Sequence, residues 1–161
     1  MTPVQVAEEL VKELKTQNKK IALAESCTGG LIAKLLTDVS GASNVFECGI
    51  VSYSCDIKHK LLNVDKDLLS QSGPVNEETA RQMAKGVLAL SNADLALSVT
   101  GVAGPGPDGP HPEGEIYIAL VAKDKEEVKK LETNTKGERD YNRRFAAEQA
   151  LTLALDYLKE V

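Results

Sequence analysis

Three predicted strands constrain this chain more than any other feature, because each ends in a polar tip. They are IALA (21–24), running into AESCTGG; ECGIVSYS (47–54), running into CDIK; and LALSV (95–99), running into TGVAGPG. Apolar runs this short, bounded by glycine and hydroxyl residues, read as strands. Between them apolar residues recur at helical spacing. Strands alternating with helices imply a layered α/β domain, and in open α/β sheets ligands settle in the crevice beyond the carboxyl ends of the strands.

The rest of the chain fits this frame. Thr2, Pro3 and Gln5 form a helix start with a capping box, and Val4, Ala7, Val11 and Leu14 fall on one face of a helix that should end near Asn18. Leu31, Ile32, Leu35, Leu36 and Val39 form the stripe of a second helix, broken by SGAS (40–43). Short helices are expected at 58–62 and 65–69. Asn76 should cap another, with Ala80, Met83, Ala84, Val87 and Leu88 inward. Residues 100–114 are loop, rich in Gly and Pro. EIYIALVA (115–122) and EVKKLET (127–133) read as a hairpin, and 138–158 as a long helix with Ala146, Ala150, Leu153, Ala154, Tyr157 and Leu158 toward the core. The expected fold is a three-layer α/β/α single domain with a mixed central sheet, spanning 1–161.

Composition narrows the function classes. A formal net charge of −5 leaves the chain as a whole without the basic footprint that nucleic-acid binding needs, though a local cluster could still hold a phosphate. No run of about 18 apolar residues occurs, and the first residues lack the order of a signal peptide. The expectation is a soluble cytoplasmic domain with three reduced cysteines, no nucleic-acid partner and no membrane partner. The strand 127–133 is an exposed edge at which copies could pair into a homo-oligomer.

The junction at 24–30 offers two readings. Ser26 or Thr28 could simply cap the following helix, with Gly29 and Gly30 permitting a sharp entry. Alternatively, Ser26 is a nucleophile, and free backbone N–H groups around Thr28, Gly29 and Gly30 stabilise an oxyanion. By itself the junction reads first as a cap. A base would change that, and Lys58, following SYSCDI, could reach the same crevice; a lysine serves when burial lowers its pKa. His111 lies among prolines and is expected to be solvated. Cys27 lacks a well-placed histidine to activate it. GPGPDG (104–109) matches G-x-G-x-x-G but opens no helix, and Cys55 with His59 lacks the further ligands of a metal site.

Taken together, AESCTGG (24–30), GIVSYSCDIKHKLLNV (49–64), GPVNEETARQMA (73–84), SVTGVAGPGPDG (98–109), PEGEIYIAL (112–120) and GERDYNRR (137–144) resemble the CinA C-terminal domain family, the nicotinamide mononucleotide deamidases sometimes called PncC. The resemblance covers nearly the whole chain. It implies hydrolysis of the carboxamide of nicotinamide mononucleotide to nicotinate mononucleotide and ammonia, in pyridine nucleotide salvage, without metal or organic cofactor. It further implies Ser26 as nucleophile, Lys58 as its basic partner, and Tyr53, Thr100 and Arg139 at the substrate. Gly101 and Gly104 would add backbone amides around the phosphate. Departures are Cys55 and Asp56 where the family has an amide and a longer carboxylate, Gly137-Glu138-Arg139 for a GDR-like segment, and a loop with extra proline and His111. The additional N-terminal domain of longer members is absent from this sequence. Competing readings are a non-catalytic nucleotide-binding module and an amidase for another amide.

Overall fold

A computed structural model describes residues 1–160; Val161, the last residue of the expected domain, lies outside the described residues. The first helix, α1 (Pro3–Thr16), starts where its sequence requires. The Thr2 hydroxyl accepts from the Gln5 amide (3.2 Å) and the Gln5 side-chain oxygen accepts from the Thr2 amide (2.8 Å). Its buried face is Val6, Ala7, Leu10, Val11 and Leu14. Val4, expected on that face, is 51% exposed. At about 100° per residue it falls at the rim of the arc centred on Leu10 and Leu14.

The remaining elements are β1 (Ile21–Glu25), α2 (Leu31–Thr37), a 3-10 turn at Ala42–Asn44, β2 (Phe46–Val51), α3 (Cys55–Leu62), α4 (Lys66–Ser72), α5 (Glu77–Leu90), β3 (Leu95–Gly101), β4 (Glu115–Ala122), β5 (Lys125–Glu132) and α6 (Arg139–Glu160). The sheet order is β2-β1-β3-β4-β5, with β1 parallel to both β2 and β3, and with β4 and β5 antiparallel. The second strand is shorter than the expected 47–54. Ser54 leaves it to cap α3, accepting from the Ile57 amide (3.2 Å).

Strand alternation builds two unlike faces. Ile21, Leu23, Leu95, Leu97, Val99, Ile116, Ile118 and Leu120 face α1, α2 and α6. Ala22, Ala24, Ala96 and Ala119 face α5, whose Ala80, Met83, Ala84 and Val87 lie against them. The layers are therefore helix, sheet and helix, as the strand–helix alternation predicts. Both outer strands are edges, but β5 carries lysines and glutamates along its length, which disfavour pairing with another chain. Among the described residues no helix is long and apolar enough to cross a membrane.

One contact in this scaffold reaches the site. At Gly86 in α5, an added Cβ would sit 2.0 Å from the Leu62 carbonyl oxygen at the end of α3. Glycine there lets the two helices meet backbone to backbone. An exposed helical Gly→Ala change stabilises a protein by up to ~1 kcal/mol. Here the sign should reverse: Gly86→Ala is expected to destabilise by about 2 kcal/mol through overpacking, read as a lowered denaturant midpoint at unchanged slope.

Candidate active site

Glu25 and Ser26 are consecutive at the end of β1 and project to opposite sides of the sheet. Glu25 turns toward α2. One carboxylate oxygen accepts from the Ile32 amide (3.0 Å) and the Thr28 hydroxyl (2.6 Å), and the other from the Ala33 amide (3.0 Å). The N-cap residue itself is Gly30, at φ 98°, with no side-chain cap. The capping role considered for Ser26 or Thr28 therefore belongs to Glu25, whose negative charge suits the positive end of the helix. Sequence reasoning missed it; the signal was a glutamate ending an otherwise apolar strand. From the other side, Arg143 of α6 donates to the carbonyls of Cys27 (3.2 Å) and Thr28 (2.8 Å), tying the loop down.

Ser26 is buried and meets Lys58 from α3. Lys58 has no exposed surface, and its Nζ lies 2.7 Å from Ser26 Oγ, 2.5 Å from the Ser52 carbonyl and 3.3 Å from the Tyr53 carbonyl. Burial lowers its pKa from 10.5 to about 8, against the smaller opposing influence of Cys55 and Cys27. The three oxygens can take the three N–H bonds of an ammonium, and the same set also accommodates the neutral amine. A neutral amine has two N–H bonds and one lone pair. The two carbonyls can only accept, so they take the N–H bonds and leave the lone pair for the Ser26 hydroxyl. Burial pushes the adjacent Cys27 thiol the other way, up to about 12, so it holds no thiolate near neutral pH.

The serine opens into a cavity of about 170 Å³ whose wall includes Ser26, Cys27, Tyr53, Thr100, Asp108 and Arg139. Gly101 also borders it, in a position where a Cβ would lie 2.7 Å from the Glu115 carbonyl. The Thr100 hydroxyl donates to the Pro74 carbonyl (2.8 Å). Arg139 donates to the Tyr53 hydroxyl (3.2 Å) and to the Gly104 carbonyl. Gly104 thus contributes a carbonyl to Arg139 and is not itself part of the lining. Gly29 differs from expectation as well. Its amide donates to the Ser26 carbonyl (3.0 Å), closing the turn, and is not free for an oxyanion. Among the described residues the amides of Thr28 and Gly30 donate to no backbone carbonyl.

The glycine-rich loop is stapled to the start of α6 by Glu113. Its carboxylate accepts from the amides of Gly106 (2.8 Å), Gly137 (2.9 Å) and Glu138 (3.3 Å) and from the Thr135 hydroxyl (2.9 Å). Beside it, fully buried Asn142 donates to the Ala103 carbonyl (2.9 Å) and accepts from Thr133 and Thr135. This pair places Arg139 against the loop. No spacing in the sequence marks either residue, since a glutamate among prolines and glycines reads as solvated. His111, expected to be solvated, is half-buried, with its Nδ1 against the Glu115 carboxylate. Asp108 is likewise a cavity residue that sequence reasoning left unassigned.

Fold and site together define a three-layer α/β domain with a serine hydrogen-bonded to a buried lysine at the carboxyl edge of the sheet. The sequence model of the CinA C-terminal domain matches residues 4–158, and the chain belongs to that family. It is 45% identical over 159 residues to a CinA-like protein of Chlorobium limicola, covering 96% of this chain and 37% of that one. The chain thus spans little more than a third of the length of such relatives. Among solved structures, the competence/damage inducible protein CihA of Agrobacterium tumefaciens superposes with a TM-score of 0.92 at 33% identity, covering 98% of this chain and 95% of that one. The competence damage-inducible protein A of Klebsiella pneumoniae gives 0.93 at 28% identity, covering 99% and 98%.

The Glu113 staple has a pH signature. The backbone amides of Gly137 and Gly106 hold its carboxyl down from 4.5 to about 2. A depressed carboxyl contributes stability that is complete above pH 4.5 and lost as pH falls through 2. Glu113→Gln should flatten the fall of the denaturant midpoint across that window, compared with the parent protein at matched pH values.

Proposed function

We propose that this domain hydrolyses the carboxamide of nicotinamide mononucleotide, giving nicotinate mononucleotide and ammonia by a Ser–Lys mechanism. The observation that carries the reading is the 2.7 Å contact between Ser26 Oγ and the Nζ of a lysine whose pKa burial lowers to about 8. A binding module would need neither the buried amine nor its orientation. The substrate follows from the family motifs and from Arg139, an arginine on the wall of the same cavity.

In this mechanism neutral Lys58 accepts the Ser26 proton as Oγ bonds to the carboxamide carbon. Negative charge moves to the amide oxygen, which the unengaged loop amides of Thr28 and Gly30 stabilise; each such donor is typically worth ~100-fold in rate. The carbon–nitrogen bond then breaks while protonated Lys58 delivers its proton to the departing nitrogen, releasing ammonia. Water, deprotonated by the same amine, attacks the acyl-enzyme; the ester bond breaks as protonated Lys58 returns its proton to Ser26 Oγ, and the carboxylic acid released ionises to the carboxylate in solvent. Arg139 holds the phosphate as a planar cation. Tyr53 positions Arg139 through its hydroxyl.

Ser26→Ala should reduce ammonia release from nicotinamide mononucleotide by roughly a thousandfold or more, whereas undiminished release would remove Ser26 from the mechanism. The working form of Lys58 is the neutral one. The logarithm of kcat/KM should therefore rise with pH and level off above about 8, the value to which burial brings this amine. Lys58→Arg should not restore activity, because a guanidinium stays protonated. Arg139→Ala should raise KM far more than it lowers kcat if the arginine grips the phosphate equally in ground and transition states.

A further inference from the structure

Asp108 presents a charge that the mechanism above does not use. It lines the same cavity as Ser26, Tyr53 and Arg139. Asp108 is exposed, and none of the ion pairs among the described residues includes it, so its carboxylate is solvated and unpaired at the rim of a cavity whose wall also carries a guanidinium. Nor is it carried on a loose tip. The Asp108 amide donates to the His111 carbonyl (2.9 Å) and the His111 amide donates back (3.0 Å). The loop behind it is anchored by the Gly106 amide on Glu113 (2.8 Å). Pro105, Pro107, Pro110 and Pro112 restrict the backbone on both sides.

A cavity with a cation and an unpaired carboxylate on its wall suits a ligand carrying both signs. A phosphate beside Asp108 would be repelled, so phosphate belongs with Arg139. A cationic ring bearing the carboxamide, placed over Ser26, then shares the cavity with Asp108. We propose that Asp108 is a specificity residue that selects the positively charged pyridinium form of the substrate over neutral-ring analogues. The inference rests on the function proposed above. It adds a charge test that a neutral carboxamide nucleotide fails.

The experiment compares nicotinamide mononucleotide with its reduced form, in which the dihydropyridine ring is neutral while carboxamide, ribose and phosphate are kept. Dissociation constants are measured by calorimetry on the Ser26→Ala protein and on Ser26→Ala/Asp108→Asn, with ammonia release from the oxidised nucleotide by the parent protein run alongside. Asp108→Asn should weaken binding of the oxidised nucleotide roughly three- to tenfold, the range of a partly exposed ion pair. Binding of the reduced nucleotide should be unchanged, and the difference should shrink in high salt. Equal weakening of both would show a hydrogen bond to the shared ribose and overturn charge selection, as would no weakening of either. In both of those cases continued ammonia release leaves the deamidase reading standing. No ammonia release and no binding of either nucleotide would overturn that reading and this inference with it.

Discussion

Everything at the cavity depends on one primary amine that has been taken out of water. Lys58 is fully buried, and two main-chain carbonyls and one hydroxyl are its polar surroundings. Burying an ammonium without a carboxylate partner is costly, and the group responds by losing its proton more readily. The cost falls on elements far apart in sequence. The carbonyls come from the turn after β2, the hydroxyl from the end of β1, and the amine from α3. That helix in turn is seated by the close contact between Leu62 and Gly86 of α5. A shift in any of them would hydrate the amine and return it toward its ordinary basicity.

The N-termini of α2 and α6 are occupied from within. Glu25 takes the Ile32 and Ala33 amides of α2, and Glu113 takes those of Gly137 and Glu138 just before α6. Helix N-termini are ready anion sites, so with these two filled from within the fixed charges of the proposed ligand, as distinct from the developing oxyanion, fall to charged side chains. On the cavity wall those are Arg139 and Asp108. The arrangement also accounts for the shape of the serine loop: anchored by Glu25 on one side and by Arg143 on the other, it presents Ser26 to α3 with little freedom.

The elements were legible because each has a local cause. Thr2 and Asn76 cap the helices they precede, and the paired strands β4 and β5 lie where alternation places them. Errors fell at boundaries. Ser54 reads as strand until its hydroxyl is seen to cap α3, and Val4 reads as core until the helix is rotated against its neighbours. At the cavity, Ser26, Lys58, Tyr53 and Arg139 could be nominated from ordered motifs. Glu25, Asp108, Glu113 and Asn142 could not, because their partners or the cavity they border exist only once distant segments meet.

What the residues alone determined is what local physics controls: helix starts, strand alternation, the turn-forming glycines and a net negative charge. Tertiary structure decided which charges are exposed and which are buried. It put an ordinary-looking helical lysine beneath Ser26 with no solvent-accessible surface, and it made a loop glutamate into the anchor of α6. Desolvation and partnership belong to no single segment of sequence, since they depend on what folding places around a group, and on that depends whether Lys58 is a surface cation or a base.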